Sequence, residues 1–204
     1  MPRVGLNRER VTAAAAAVAD EVGMGRLTLA AVAQRCGVSL PGLYKHVEGL
    51  GAVKRDIALL AVRELTFELA TAAAGLSGRD ALLAIARAYR GYALAHPGRY
   101  AATVWAPAPG DDEHAAVGAA AISVLAAVLK GYRIEGEDAI DAIRMMRAAL
   151  HGFVSMEAAG GFGLPQSVDV SFIRLVEALD TAWITWVSRG QAVAGEGGSD
   201  PARR

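Results

Sequence analysis

Apolar residues recur at every third or fourth position along almost the whole chain, and no window alternates at period two for long enough to make a strand. That period restricts the chain to helices packed on helices, with Gly and Pro clusters as the breaks. Val11, Ala14, Ala15, Val18 and Val22 mark a first helix after Asn7, which suits an N-cap, and Gly23 and Gly25 stop it. Thr28 caps a short helix carrying Leu29, Val32, Ala33 and Cys36, the i, i+3, i+4, i+7 stripe. Gly37 breaks that helix, Ser39 caps the next, and Leu43 and Val47 give the next one its buried side. A longer helix over about 52–74 has Val53, Ile57, Leu60 and Phe67 along one stripe. Leu82, Ile85, Ala86, Tyr89, Tyr92 and His96 mark a helix that ends before Pro97, and a short piece covers about 97–105. Further helices are expected over about 113–132, 135–159 and 169–189, the last with Phe172, Val176, Leu179, Trp183 and Trp186 on one side. Residues 190–204, rich in Gly, Ser and Pro, are expected to be a disordered tail.

Composition removes several classes. The single cysteine, Cys36, excludes a disulfide framework and a thiolate zinc cluster, and it suits a reducing cytosol. The N-terminal residues lack the apolar core of a secretory signal, and the apolar run 117–129 is too short for a membrane span, so a cytoplasmic protein with no membrane partner is expected. The four histidines (46, 96, 114 and 151) have no HExxH spacing, and no glycine-rich loop ends in Gly-Lys-Ser/Thr. The run DDEH at 111–114 could be imagined as a metal site, but consecutive acids opening a helix are ordinarily a solvated cap. Gly160, Gly161 and Gly163 lack the strand–turn–helix setting of a nucleotide loop, and Cys36 sits on an apolar stripe. No catalytic residue, metal or cofactor is expected.

The 21 basic and 21 acidic residues cancel, yet their distribution is uneven. Residues 1–60 hold eight Lys/Arg against five acids, a net +3, and the rest of the chain is −3. A small basic N-terminal segment on a slightly acidic body hints at a polyanion partner for the first part only.

Residues 28–47, TLAAVAQRCGVSLPGLYKHV, carry most of the information. Two short helices joined at Gly37 leave the second free to project from a compact three-helix unit. Val38, Leu43 and Val47 would bury its inner side, leaving Pro41, Gly42, Lys45 and His46 outside with Tyr44 at the margin. Such an edge can enter a major groove about 12 Å wide. Leu40 and Pro41 could meet thymine methyls, although Leu40 could equally be core. Gly42 removes bulk near a base, and Lys45 and His46 could donate to bases or phosphates. Thr28, at a helix start, could anchor a phosphate, Lys54 is a second candidate anchor, and Ser39 is a further candidate DNA contact. A helical hairpin inside an ordinary all-α core is the bland alternative.

This arrangement resembles the N-terminal helix-turn-helix of TetR-family transcriptional regulators. The matching residues are Thr28, Ala33, Gly37-Val38-Ser39 and Leu43-Tyr44-Lys45-His46-Val47, within a likeness over about residues 7–60. Residues 146–163, with Gly152 and Met156-Glu157, resemble the C-terminal domain of one branch, the WHG type. One departure is Leu50, which stands where the family usually has a phosphate-contacting lysine; Lys54 or Arg55 could compensate. The resemblance implies an all-α fold of about nine helices: a DNA-binding domain over 1–50 and a helical effector-binding and dimerisation domain over 51–189. It also implies a homodimeric repressor on a palindromic double-stranded operator, released by a small molecule. Leu150 and Phe153 with Phe172, Val176, Leu179 and Trp183 are candidates for the dimer seam. Tyr89, Tyr92, Tyr100, Trp105, Met145, His151 and Met156 could line a mainly apolar effector cavity, for an uncharged or weakly polar ligand. The competing reading is a helical ligand-binding or interaction protein with weak or lost specific DNA binding.

Overall fold

A computed structural model describes residues 5–196, with side chains as far as 186, and over that range the chain is helical with no strand. Nine helices run in order: α1 Arg8–Val22, α2 Leu29–Cys36, α3 Leu40–Leu43, α4 Leu50–Ala73, α5 Gly78–Ala95, α6 Pro97–Ala102, α7 Asp112–Lys130, α8 Gly136–Ala158 and α9 Val168–Glu196. The described chain divides into two compact units. One comprises residues up to 68 together with 89–121, and the other comprises 69–88 and the chain from 122 onward.

The first unit is built around α1. Its N-cap is Asn7, whose side chain accepts from the Arg10 N–H, and it ends at Gly23 with φ +83°. Val11, Ala15, Val18 and Ala19 of α1 meet Leu27, Val32, Ala33, Leu43, Val47, Val53, Ile57 and Ala102 in one buried cluster. Alanines on the inner side of α1 let neighbouring helices approach closely. The closest approach is that of α6: a Cβ added at Gly98 would lie 2.1 Å from the backbone carbonyl of Ala19. Only glycine fits there without displacing a helix. Leu50, at the start of α4, packs half-buried against the same cluster, so the position that departs from the expected lysine is part of the core edge.

In the second unit, Leu82, Ile85, Leu129, Ile134, Leu150, Phe172, Val176 and Trp183 are fully or almost fully buried. Phe153 is tilted against Phe162 and edge-on to Phe172, tying α8, the 160–167 connection and α9. Tyr132 lies edge-on to Trp183 and donates its hydroxyl to Asp180 at 2.6 Å.

Several expectations need correction. Phe67 is 71 % exposed rather than part of the α4 stripe; α4 buries Val53, Ile57, Ala61, Leu65 and Leu69, the i+4 row, and Phe67 lies off it. α6 stops at Ala102, because Val104 and Trp105 are exposed and bury nothing that would extend it. α7 is 19 residues long with a mean hydropathy of 1.4, so it does reach the length and composition of a membrane span. The run 117–129 understated it because Asp112–Ala116 and Lys130 also join the helix. α9 continues through residues 190–196, where Gln191, Ala192 and Ala194 favour helix, instead of ending in a tail at 189; residues 197–204 lie outside the described part.

Candidate nucleic-acid interface

α2 and α3 are built as the spacing predicts. Thr28 caps α2, its Oγ1 accepting from the Ala31 N–H at 3.2 Å while its own hydroxyl proton stays free to donate. α2 ends at Gly37 in the left-handed conformation (φ +69°, ψ +29°), and the Gly37 N–H closes onto the helix carbonyls. Ser39 then caps α3, its Oγ accepting from the Gly42 N–H at 3.2 Å. The α-helical part of α3 is a single turn, Leu40–Leu43. From there the chain tightens: the Lys45 N–H bonds to Gly42 and the His46 N–H to Leu43, an i+3 pattern that carries the rod to Val47.

The two sides of this rod differ sharply. Leu43 and Val47 are buried in the cluster and Val38 is half-buried, whereas Leu40, Pro41, Tyr44 and Lys45 are exposed, Tyr44 by 54 %. Gly42 and His46 are half-buried at the margins. A side chain at Gly42 would press on Ser39 Oγ at 3.2 Å. Leu40, left open between base contact and core, lies outward with 39 % exposure.

The electrostatics add something that spacing alone misses. Three arginines of the first unit are held by carboxylates. Arg8 makes a two-pronged pair with the buried Asp56, Arg35 pairs with Glu21, and Arg55 is clamped by Asp111 (two bonds of 2.6 Å) and Glu113 (3.0 Å). These bonds hold the Arg55 guanidinium well above its ordinary range and push the Asp111 carboxyl down to about 2, the Arg55 bonds first and the His114 N–H second. The acids at 111–113 therefore form a cap and an arginine clamp; among the described residues no group of three His, Cys, Asp or Glu is placed to hold a metal. Lys45 and half-buried Lys54 make no ion pair among the described residues. Arg55, offered as a substitute for the lysine replaced by Leu50, is engaged by Asp111 and Glu113.

The other predicted residues fall elsewhere. Tyr89 is buried with its hydroxyl 3.0 Å from that of Tyr100 and the rings edge to face, and Tyr92 donates to Glu64 at 3.0 Å. Burial and the Glu64 charge push the Tyr92 phenol far up, so it stays a donor. Trp105 is exposed on the loop after α6. These aromatics belong to the first unit, whereas Met145 (half-buried), His151 (half-buried) and Met156 (51 % exposed) belong to the second. An open depression of about 300 Å³ on α9 is lined by Asp169, Val170, Ile173, Arg174 and Glu177, none of them a predicted effector residue.

The residues offered for a dimer seam lie largely within the chain's own core. Leu150, Phe172, Val176, Leu179 and Trp183 are at most 5 % exposed within a single chain, and Phe153 is half-buried against its two phenylalanine neighbours. An apolar stripe that regular goes first to the chain's own core. Sequence reasoning also missed a polar cluster joining Asp20, Glu64, Tyr92, His96 and Arg99.

Comparison with known proteins agrees with this geometry. Residues 11–46 match the family model of bacterial regulatory proteins of the tetR family, and residues 82–179 match a tetracyclin repressor-like C-terminal domain. An uncharacterised HTH-type transcriptional regulator of Mycobacterium tuberculosis, Rv0681, is 38 % identical over 76 % of this chain and 72 % of its own length. A second, YobS of Bacillus subtilis, is 31 % identical over 79 % of this chain and 84 % of its own. Among solved structures, TetR from Acinetobacter baumannii superposes with a TM-score of 0.60 at 22 % identity, covering 88 % of this chain and 97 % of that one. SCO7222, a TetR from Streptomyces coelicolor, gives 0.68 at 20 % identity, covering 89 % and 99 %. With an exposed groove-sized rod on a buried three-helix core and relatives of this closeness, the chain belongs to the TetR family of DNA-binding transcriptional regulators.

Proposed function

We propose that this protein is a ligand-responsive repressor that binds a palindromic operator as a homodimer in the cytoplasm, and that it is not an enzyme. The observation that carries the reading is the two-sidedness of the 39–47 rod, with Leu43 and Val47 buried while Leu40, Pro41, Tyr44 and Lys45 face solvent. A rod this short reaches few base edges, so useful affinity calls for two heads about one helical turn, roughly 34 Å, apart. Thr28, Ser39 and Lys54 are assigned to phosphates, and Leu40, Pro41, Gly42, Tyr44, Lys45 and His46 to the groove. A domain boundary near residue 50 assigns the head to DNA and the rest to effector and partner. The dimer face is assigned to the outward sides of α8 and α9, where Ala148, Gly152, Met156, Ala178, Thr181 and Ile184 are exposed. Small residues there let helices of a second copy come close, and Gly152→Arg should convert a dimer to a monomer in sedimentation.

For the effector, a variant of the Acinetobacter protein has been crystallised with minocycline. By analogy the body of this chain is assigned a small, weakly charged, partly aromatic ligand, whose preference for a conformation with misplaced heads would release the operator. The test is a library of DNA fragments from around the gene, probed by fluorescence anisotropy at two salt concentrations. One palindromic site should be retained, and Tyr44→Ala should abolish retention with helicity intact. Equal binding of every fragment would favour the second reading, a helical ligand-binding protein without specific DNA recognition. That reading draws on Leu50 at the lysine position and on the occupied Arg55.

A further inference from the structure

α6 lacks a cap of its own. Its N-cap residue, His96, makes no side-chain bond to the helix start, and the first N–H groups of any helix need acceptors from elsewhere. The acceptor comes from α1: Asp20 Oδ1 receives the Arg99 N–H at 2.8 Å. The other Asp20 oxygen lies 3.1 Å from Arg99 Nε and 3.5 Å from His96 Nδ1. The Arg99 guanidinium continues to Glu64 on α4 at 3.2 Å, and Glu64 accepts from Tyr92 on α5. Gly98 lets the two backbones close up, since a Cβ there would overlap the Ala19 carbonyl.

The placement of Asp20 is locally unfavourable. It sits in the last turn of α1, where the negative end of the helix dipole disfavours a carboxylate. The start of α6 supplies the compensating positive end. Its neighbour Glu21 points the other way and pairs with Arg35 in the last turn of α2. Two successive carboxylates thus join α1 to α6 on one side and to the DNA-reading pair on the other, and all these groups lie in one compact unit.

We infer that Asp20 is a positioning residue for DNA reading: by capping α6 and holding Arg99, it makes the attitude of α1, and with it that of α2 and α3, follow α6. The inference rests on the DNA-binding reading above.

The test uses the full chain with Asp20→Ala, Asp20→Asn and Tyr44→Ala, read by amide hydrogen exchange and by operator affinity. Asp20→Ala should raise exchange in the first turn of α6, the last turn of α1 and across α2 and α3, leaving α8 and α9 unchanged, and weaken operator binding about tenfold. Asp20→Asn keeps an acceptor for the Arg99 N–H and should recover part of both effects. Tyr44→Ala should lose the operator with no change in exchange. A rise confined to α6, or spread evenly over all helices as plain destabilisation would give, overturns the inference. So does wild-type operator affinity in Asp20→Ala. If the wild-type chain selects no DNA fragment, the regulator reading fails, and the exchange pattern alone decides whether α6 is coupled to α2 and α3.

Discussion

The same substitution, glycine to alanine, should have opposite signs at two helical positions of this chain. At Gly98 the added methyl carbon would lie 2.1 Å from both the carbonyl carbon and the oxygen of Ala19 and 2.5 Å from the Asp20 nitrogen. Carbon atoms rest about 3.5–4.0 Å apart, so α6 must retreat from α1 by more than an ångström. The obstacle is backbone and cannot rotate away. Tyr100 and Ala102, buried on the same six-residue helix, must move with it. Overpacking of this kind costs about 1–3 kcal/mol. At Gly91, inside α5, the site is exposed with nothing within 4 Å, and the gain in helix propensity is about 0.8–1 kcal/mol. Urea unfolding followed by far-UV circular dichroism separates them. With a slope of about 2–3 kcal/mol per molar, Gly98→Ala should lower the midpoint by about 0.3–1.5 M and Gly91→Ala should raise it by about 0.3–0.5 M. A Gly98→Ala protein as stable as wild type, alongside a stabilised Gly91→Ala, would falsify the close approach of α6 to α1.

Three further outcomes are expected. Lys54→Ala should reduce the slope of log affinity against log salt by about 0.9 per head, or about 1.8 for a dimer, and an unchanged slope would remove Lys54 from the phosphate contacts. Asp111 falls from 3.8 to about 2 in the folded chain, so its contribution is present above the ordinary carboxylate range and lost as pH falls through the folded value. Asp111→Asn should therefore flatten the decline in melting temperature between about pH 4 and pH 2, and a profile identical to wild type would contradict the Arg55 clamp. Tyr132→Phe leaves the buried Asp180 with only the more distant Arg79 and should cost about 1–3 kcal/mol in urea unfolding, while a neutral result would refute the 2.6 Å bond.

The reading of the head from sequence succeeded where signals are local. A cap such as Thr28 or Ser39, a left-handed Gly37 and the Leu43–Val47 spacing all act within a few residues, so their consequences can be written down without knowing the fold. Phe67 departs from its expected place because periodicity puts a side chain on a helix face without saying whether another element covers that face. The α9 stripe shows the converse: the spacing of Phe172, Val176 and Trp183 marks them for burial, but an apolar stripe does not record whose core it enters. The Asp20–Arg99 bond joins residues 79 positions apart, and nothing in the spacing of either announces the other. Arg55 likewise reads as a free cation in the sequence, because Asp111 and Glu113, which hold it, lie more than fifty positions away.

The pairing of Arg8, Arg35 and Arg55 with carboxylates has a consequence for how such a protein searches a genome. Attraction to arbitrary duplex grows with the number of unneutralised cations, because each one liberates condensed counterions. With Arg8, Arg35 and Arg55 already matched, the DNA-reading unit has fewer cations to offer random sequence, and under the proposed operator binding its occupancy of a site would depend more on the fit of Tyr44 and its neighbours to the base edges. Under that proposal, molecules let go by the operator would return to the bulk instead of lingering on flanking duplex, which would sharpen the response to an effector.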